Sequence, residues 1–198
     1  KDIIRSIQRE DFIEYMQNLY SPTNIVVVVA GGIDSLKVRD LTEKYFGGMK
    51  SFDILRYKKV VENQKKPQVL IKKKKTEQVH VALGVRTVSL FHEDHYPLIV
   101  LAAILGGGMS SRLFHEVREK RGLSYYVRSS AEHHPDVGNL ISTAGLDPKR
   151  VDEGISVMVE EYSKIKSQKG KVTEDELKKA KEYIKGHMVL ELENSRAV

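Results

Sequence analysis

Residues 106–127, GGGMSSRLFHEVREKRGLSYYV, constrain the fold more tightly than any other stretch. A glycine run ends one segment, and Ser110 and Ser111 can cap the next helix. The helix is predicted over Arg112–Lys120. Leu113, Phe114 and Val117 make its apolar side at the spacing of one helical face. Arg121-Gly122 stops it, because Gly at the C′ position takes the left-handed turn without a Cβ clash. A strand is expected from Leu123 to Ala131, with Leu123, Tyr125 and Val127 on one face. Arg118 then sits in the helix's last turn and Tyr125 on the strand that the helix feeds. A helix doubling back onto its own strand can bring those two polar tips together. A plainer account of the same residues has Arg118 paired with Glu119 or with helix-terminal carbonyls, and Tyr125 in ordinary strand packing.

The rest of the chain alternates helix and strand signals. Phe12, Tyr15, Met16 and Leu19 mark a helix that Ser21-Pro22 breaks. Asn24–Ala30, NIVVVVA, suits a strand buried on both faces at the centre of a sheet. Gly31-Gly32 turns the chain, and Asp34 or Ser35 caps a helix over 36–46. Residues 51–67 read as a linker. Gln68–Lys75 and Gln78–Arg86 are expected as a hairpin around 75–77. Asp94 is expected to cap a buried helix carrying Pro97 in its first turn. Val137–Ala144 reads as a strand. Asp147-Pro148 opens a helix to Lys166, with Val151, Ile155, Met158, Val159, Tyr162 and Ile165 as its inner stripe. Thr173 and Glu176 form a capping box for the last helix, whose inner face is Leu177, Ala180, Ile184 and Met188. The fold class is therefore α+β: a mainly antiparallel sheet with helices largely on one face.

Composition narrows the function classes. The chain has no Cys, which excludes disulfides and thiolate metal sites in these 198 residues. Its longest apolar run, Leu98–Leu105, falls far short of the ~20 residues of a membrane span. The formal charge of +6 gathers at Lys65-Lys66 and Lys72–Lys75. No aromatic residues interleave that lysine run, which argues against a nucleic-acid surface and for a solvated strand edge. GGIDSL lacks the G-x-G-x-x-G series, and GGGMSSR is no phosphate loop. His92-Glu93-Asp94-His95 is neither H-E-x-x-H nor H-x-x-E-H, and His115-Glu116 is followed by Glu at 119. With no initiator Met, and with its end inside a predicted helix, the sequence reads as a piece of a longer chain.

Two blocks carry a resemblance. SSRLF at 110–114, REK at 118–120 and GLSYYV at 122–127 resemble the second-domain signature of the pitrilysin/insulinase family of zinc metallopeptidases, in its mitochondrial-processing-peptidase-like branch. YSPTNIVVVVAGGID at 20–34 and LTEKYFGG at 41–48 resemble the closing segment of that family's first domain, which often has Asp where Gly32 stands. The resemblance implies that 1–50 close the preceding domain and 68–198 form most of the second. It implies that Arg118 and Tyr125, in an R-x6-Y arrangement, bind the peptide substrate; Arg112 and Arg121 have no Tyr at that spacing. It implies zinc in the parent enzyme, held by an H-x-x-E-H helix and a distal Glu in the first domain. No catalytic or metal residue is expected in this chain, and alone it is expected to be inactive. The alternatives are a non-catalytic partner subunit of a two-subunit processing peptidase, or a structural subunit. Expected partners are a peptide or protein substrate and the zinc-bearing domain or subunit. By the same resemblance, the second domain's own final strand and helix are expected to lie outside these residues. Residues 24–47 are therefore expected to fill that vacancy, within one chain or between two copies as a homodimer.

Overall fold

The computed structural model describes residues 2–71 and 79–194. They fall into two compact units, one of residues 2–59 with 192–194 and the other of Val60–Glu191.

The first unit is helical. Helix α1 spans Asp2–Ser6, α2 Arg9–Leu19 and α3 Ser35–Phe46. The Gln8 N–H donates to Asp11 Oδ2 (2.7 Å), closing a capping box at the start of α2. As expected, the Asp34 carboxylate caps α3, accepting from the N–H groups of Leu36 (2.9 Å) and Lys37 (3.4 Å). Pro22 begins a short 3₁₀ turn, Pro22–Asn24. Its preceding residue, Ser21, is fully buried, and its hydroxyl accepts from the Phe52 N–H at 3.2 Å.

The run after that turn departs from expectation. Residues 25–30 form no strand, and Val26 and Val28 are 87% and 72% exposed. Among the described residues the sheet has three strands, and this segment is not one of them. The expected strand over 24–30 is therefore not formed among the described residues. The physical reason is that β-branched side chains favour a pleated surface but supply no ladder. A strand apolar on both faces needs hydrogen-bonding neighbours to form.

The second unit is α+β. Strands β1 (Val79–Thr87), β2 (Ser124–His133) and β3 (Gly138–Leu146) pair antiparallel in the order β1-β3-β2. Of the expected hairpin, residues 68–71 form no strand and 72–75 lie outside the described residues. Helices α4 (His95–Gly106) and α5 (Val151–Ile165) pack on the sheet, and α6 (Glu174–Leu192) follows. The core joins Leu105 of α4, Leu113 and Val117 of the next turn, Val127 of β2, Ala144 and Leu146 of β3 and Met158 of α5. Among the described residues no helix is long and apolar enough to cross a membrane.

Two inner faces follow expectation in part. Helix α5 starts at Val151, because Asp147 first forms a turn: its carboxylate accepts from the Lys149 N–H (2.9 Å) and its carbonyl from the Arg150 N–H (3.0 Å). Met158 lies in the core and Val151, Tyr162 and Ile165 pack against it, as expected, whereas Ile155 and Val159 are exposed and Gly154, Val157 and Glu161 are buried. Gly154 faces Leu146 of β3. A Cβ there would lie 2.6 Å from Leu146 Cδ1, so the missing side chain lets α5 approach β3. On α6 the expected capping box forms, with the Glu176 N–H on Thr173 Oγ1 (3.2 Å) and the Thr173 N–H on Glu176 Oε2 (2.9 Å). Of its expected face Ala180 is buried, Leu177 and Ile184 are half-buried, and Met188 is 60% exposed.

The 112–120 helix is also not a plain α-helix. Residues 114–119 form a π-helical turn, Phe114–Glu119, in which the Lys120 N–H reaches the His115 carbonyl (2.9 Å). Gly122, at φ +58°, ends it; its N–H bonds to the Arg118 carbonyl (3.0 Å) and the Leu123 N–H to the Val117 carbonyl (2.9 Å). A Cβ at Gly122 would meet no neighbour, so only backbone strain opposes one. Gly122→Ala is therefore expected to cost about 1–2 kcal/mol in urea unfolding, with an unchanged m-value.

Candidate functional site

The π-helical turn and the start of β2 pack together and carry the two residues singled out from the sequence. Arg118 is exposed and sits over the ring of Phe114, one turn back, at 5.0 Å from its centroid. It has no carboxylate partner among the described residues. Glu119, the neighbour that would neutralise it, is instead 2.7 Å from His115 Nδ1. Glu116 is held by Lys120 and by Arg121 Nη1 (2.6 Å), which together draw its carboxyl down to about 2. Arg118 is thus the cation of this turn without an ion-pair partner among the described residues.

Tyr125 owes its position to an irregularity. Ser124 pairs with Leu146 and Tyr126 with Gly145, so Tyr125 is the extra residue of a β-bulge. It is 74% exposed. Beside it opens a depression of about 470 Å³ whose rim includes Gly122, Ser124, Asp147 and Pro148. Arg118 and Tyr125 therefore lie on adjacent elements, both open to solvent, with no hydrogen bond joining them among the described residues.

Tyr126 was not singled out from the sequence, yet it anchors the bulge. Its ring crosses the neighbouring strand, and its hydroxyl lies 3.0 Å from His80 Nδ1 on β1. Gly145, between them, makes room: a Cβ there would sit 2.7 Å from Tyr126 Cε1. Two signals could have found this arrangement. Tyr125-Tyr126 breaks the alternation of the strand, and a glycine inside a strand marks a close approach.

Arg112 serves a different end. It is nearly buried, and its Nε and Nη2 donate to the two carboxylate oxygens of Glu176 at 2.7 and 2.8 Å. Its Nη1 donates to the Gly170 carbonyl (2.8 Å). This fork ties the π-helical turn to the start of α6 and leaves Arg112 nothing to offer a substrate.

The metal question has a plain geometric answer. Among the described residues no three His, Cys, Asp or Glu side chains gather as a metal ion would require. His92 Nδ1 accepts from the Asp94 N–H (3.1 Å), within its own turn. The donor set does not fit a catalytic zinc, which takes three protein ligands.

A family model described as the peptidase M16 inactive domain matches residues 6–184, and the chain belongs to that family. It is 33% identical over 201 residues to an uncharacterized zinc protease, YmxG, of Bacillus subtilis, covering 100% of this chain and 47% of the relative. It is 25% identical to a probable inactive metalloprotease, YmfF, of the same organism, covering 95% of this chain and 43% of the relative. Among solved structures, a protease from Helicobacter pylori superposes with a TM-score of 0.77 at 26% identity, over 99% of this chain and 48% of that one. The chain spans about half the length of the curated relatives it matches.

Proposed function

We propose that this chain supplies the substrate-gripping wall of a zinc-dependent metalloendopeptidase whose metal is held by polypeptide outside these 198 residues. The observation that carries the reading is the pairing of an exposed, uncompensated Arg118 with a Tyr125 pushed out by a bulge on the adjacent strand. An arginine stays charged at any working pH and offers five donors in a planar fork, suited to the carbonyls of an extended peptide. A tyrosine hydroxyl can donate to a peptide carbonyl or to the negative charge that develops on it during attack. Neither group needs a metal of its own, and both can act on a bond cut from the opposite side.

In this reading residues 1–50 close a preceding domain, 51–67 link, and 68–198 form most of the second. Support comes from the first unit itself. Phe12 and Tyr15 on α2, and Leu36 and Tyr45 on α3, are all exposed, and apolar faces of that kind mark surfaces that another piece of polypeptide covers. The second reading is a non-catalytic partner subunit. The relative named as a probable inactive metalloprotease keeps it open.

Reconstitution separates them. The 198-residue chain, purified alone, is expected to hold no stoichiometric zinc by elemental analysis and to cleave no peptide. Adding the polypeptide encoded immediately upstream is expected to restore cleavage, provided that it carries H-x-x-E-H. Upstream sequence without that motif would give the partner-subunit reading, and one tightly bound zinc in the isolated chain would overturn both.

A further inference from the structure

We propose that His95 and His133 bind an exchangeable divalent transition-metal ion, nickel(II) or copper(II), through His95 Nδ1 and His133 Nε2 at one end of the sheet. The site is independent of the peptide-gripping reading, and its two protein ligands set it apart from a catalytic zinc centre.

Four of the chain's seven histidines fall in two turns. His92 and His95 lie before and at the start of α4, and His133 and His134 lie at the end of β2. The backbone joins these turns: the Leu90 N–H donates to the His134 carbonyl (2.9 Å). Strand register adds a side-chain bond. Thr87, Gly138 and His133 stand in one row across β1, β3 and β2. A Cβ at Gly138 would collide with the Val88 carbonyl, so the glycine admits that carbonyl into the row. There it accepts from His133 Nδ1 at 3.0 Å. A carbonyl only accepts, so Nδ1 carries the proton, and Nε2 of the neutral ring presents a lone pair. A bond of this kind is how proteins fix the tautomer and orientation of a metal-ligating histidine.

The ring nitrogens that remain have no partners. Among the described residues His133 Nε2 and His95 Nδ1 are both buried without a hydrogen bond. The two rings lie 4.2 Å apart, centroid to centroid, and the Tyr96 ring packs edge-on to His95 at 4.9 Å. Burial without a partner costs free energy, and one ligand shared by both nitrogens offsets that cost. An ion about 2.0 Å from one nitrogen of each ring sees rings this close at roughly a right angle. That is the cis angle of square-planar and octahedral ions, narrower than the tetrahedral angle zinc prefers. Imidazole nitrogen suits nickel and copper, and water completes their coordination. Two protein ligands hold such an ion loosely enough for dialysis to remove it, so a chain purified free of metal is the expected starting material.

Calorimetric titration of the chelator-treated 198-residue chain with nickel(II) chloride tests this, and one ion per chain is expected. His95→Phe keeps a ring against His133. His133→Asn keeps an N–H for the Val88 carbonyl. Each removes one ligand and is expected to weaken nickel binding roughly tenfold or more. His92→Ala and His134→Ala, at exposed positions of the same turns, are expected to leave the affinity unchanged. Pulsed EPR of the copper(II)-loaded parent gives a readout that needs no variant: two coordinated imidazoles are expected. Four results overturn the proposal: no saturable nickel binding; affinity unchanged in His95→Phe and His133→Asn; loss of binding in His92→Ala or His134→Ala instead; or fewer than two imidazoles on the copper.

Discussion

Arg112→Ala is expected to destabilise the second unit by about 3 kcal/mol, the low end for breaking a buried ion pair, because Glu176 keeps some contact with water. At this size of unit the loss corresponds to a Tm lower by roughly 10 °C. The guanidinium does two jobs at once. It neutralises Glu176 and holds the Gly170 carbonyl. Truncation leaves a carboxylate facing a partly desolvated pocket in which the remaining donors are the Thr173 N–H and hydroxyl. Arg112→Lys is expected to recover less than half the loss, since one ammonium cannot span two carboxylate oxygens and a carbonyl in a fixed plane. Calorimetry of the three proteins at neutral pH checks the order.

The same clamp sets a pH dependence. Hydrogen bonding from Arg112 pulls the Glu176 carboxyl down to about 2, against an ordinary value near 4.5. A carboxylate whose folded pKa is depressed contributes stability that is fully present above the unfolded pKa. That contribution drains away as pH falls from about 4.5 towards 2. At about 1.4 kcal/mol per unit the depression is worth at most roughly 3 kcal/mol across that window, and less once water screens the pair. Glu176→Gln is therefore expected to flatten the acid limb of a Tm-against-pH curve. Some slope remains, because Glu116 is lowered to about 2 by Lys120 and Arg121 and titrates over the same range. An acid limb in Glu176→Gln as steep as in the parent would contradict the assignment.

Local signals in the sequence translated well where one residue decides the outcome. Asp34 caps its helix, Gly122 takes the left-handed turn, and Thr173 with Glu176 closes a box, since each depends on neighbours within four positions. Features set by distant partners were not legible. The Arg112–Glu176 fork spans 64 residues, and nothing near Arg112 points to its distant carboxylate. On α5 most of the expected stripe packs on the core, but the burial of Gly154 against Leu146 is a contact that helical periodicity cannot contain. The valine run at 26–29 has the strand composition but lacks the ladder, which composition does not supply. The site residues came from the family's R-x6-Y pattern rather than from spacing. What the fold adds is the bulge that exposes Tyr125 and the His115–Glu119 pair that leaves Arg118 uncompensated.

In a reconstituted enzyme, Tyr125→Phe is expected to lower kcat by about 10²–10³, the cost of removing one donor from a developing oxyanion (about 2.7–4 kcal/mol). The phenyl ring keeps the bulge filled, so only the hydroxyl is lost, and KM should change little. Arg118→Ala is expected to act differently. A guanidinium that grips carbonyls of the bound peptide contributes before and during bond cleavage, so its removal should raise KM as well as lower kcat. Phe114 gives an internal control. It supports Arg118 from beneath, so Phe114→Leu should reproduce a fraction of the arginine effect and none of the tyrosine effect. Neither Arg118 nor Tyr125 is part of the core, and melting temperatures of both variants should match the parent within 2 °C, roughly 0.5 kcal/mol. Unchanged kcat/KM in both variants, with folding intact, would leave Arg118 and Tyr125 as surface residues without a part in cleavage.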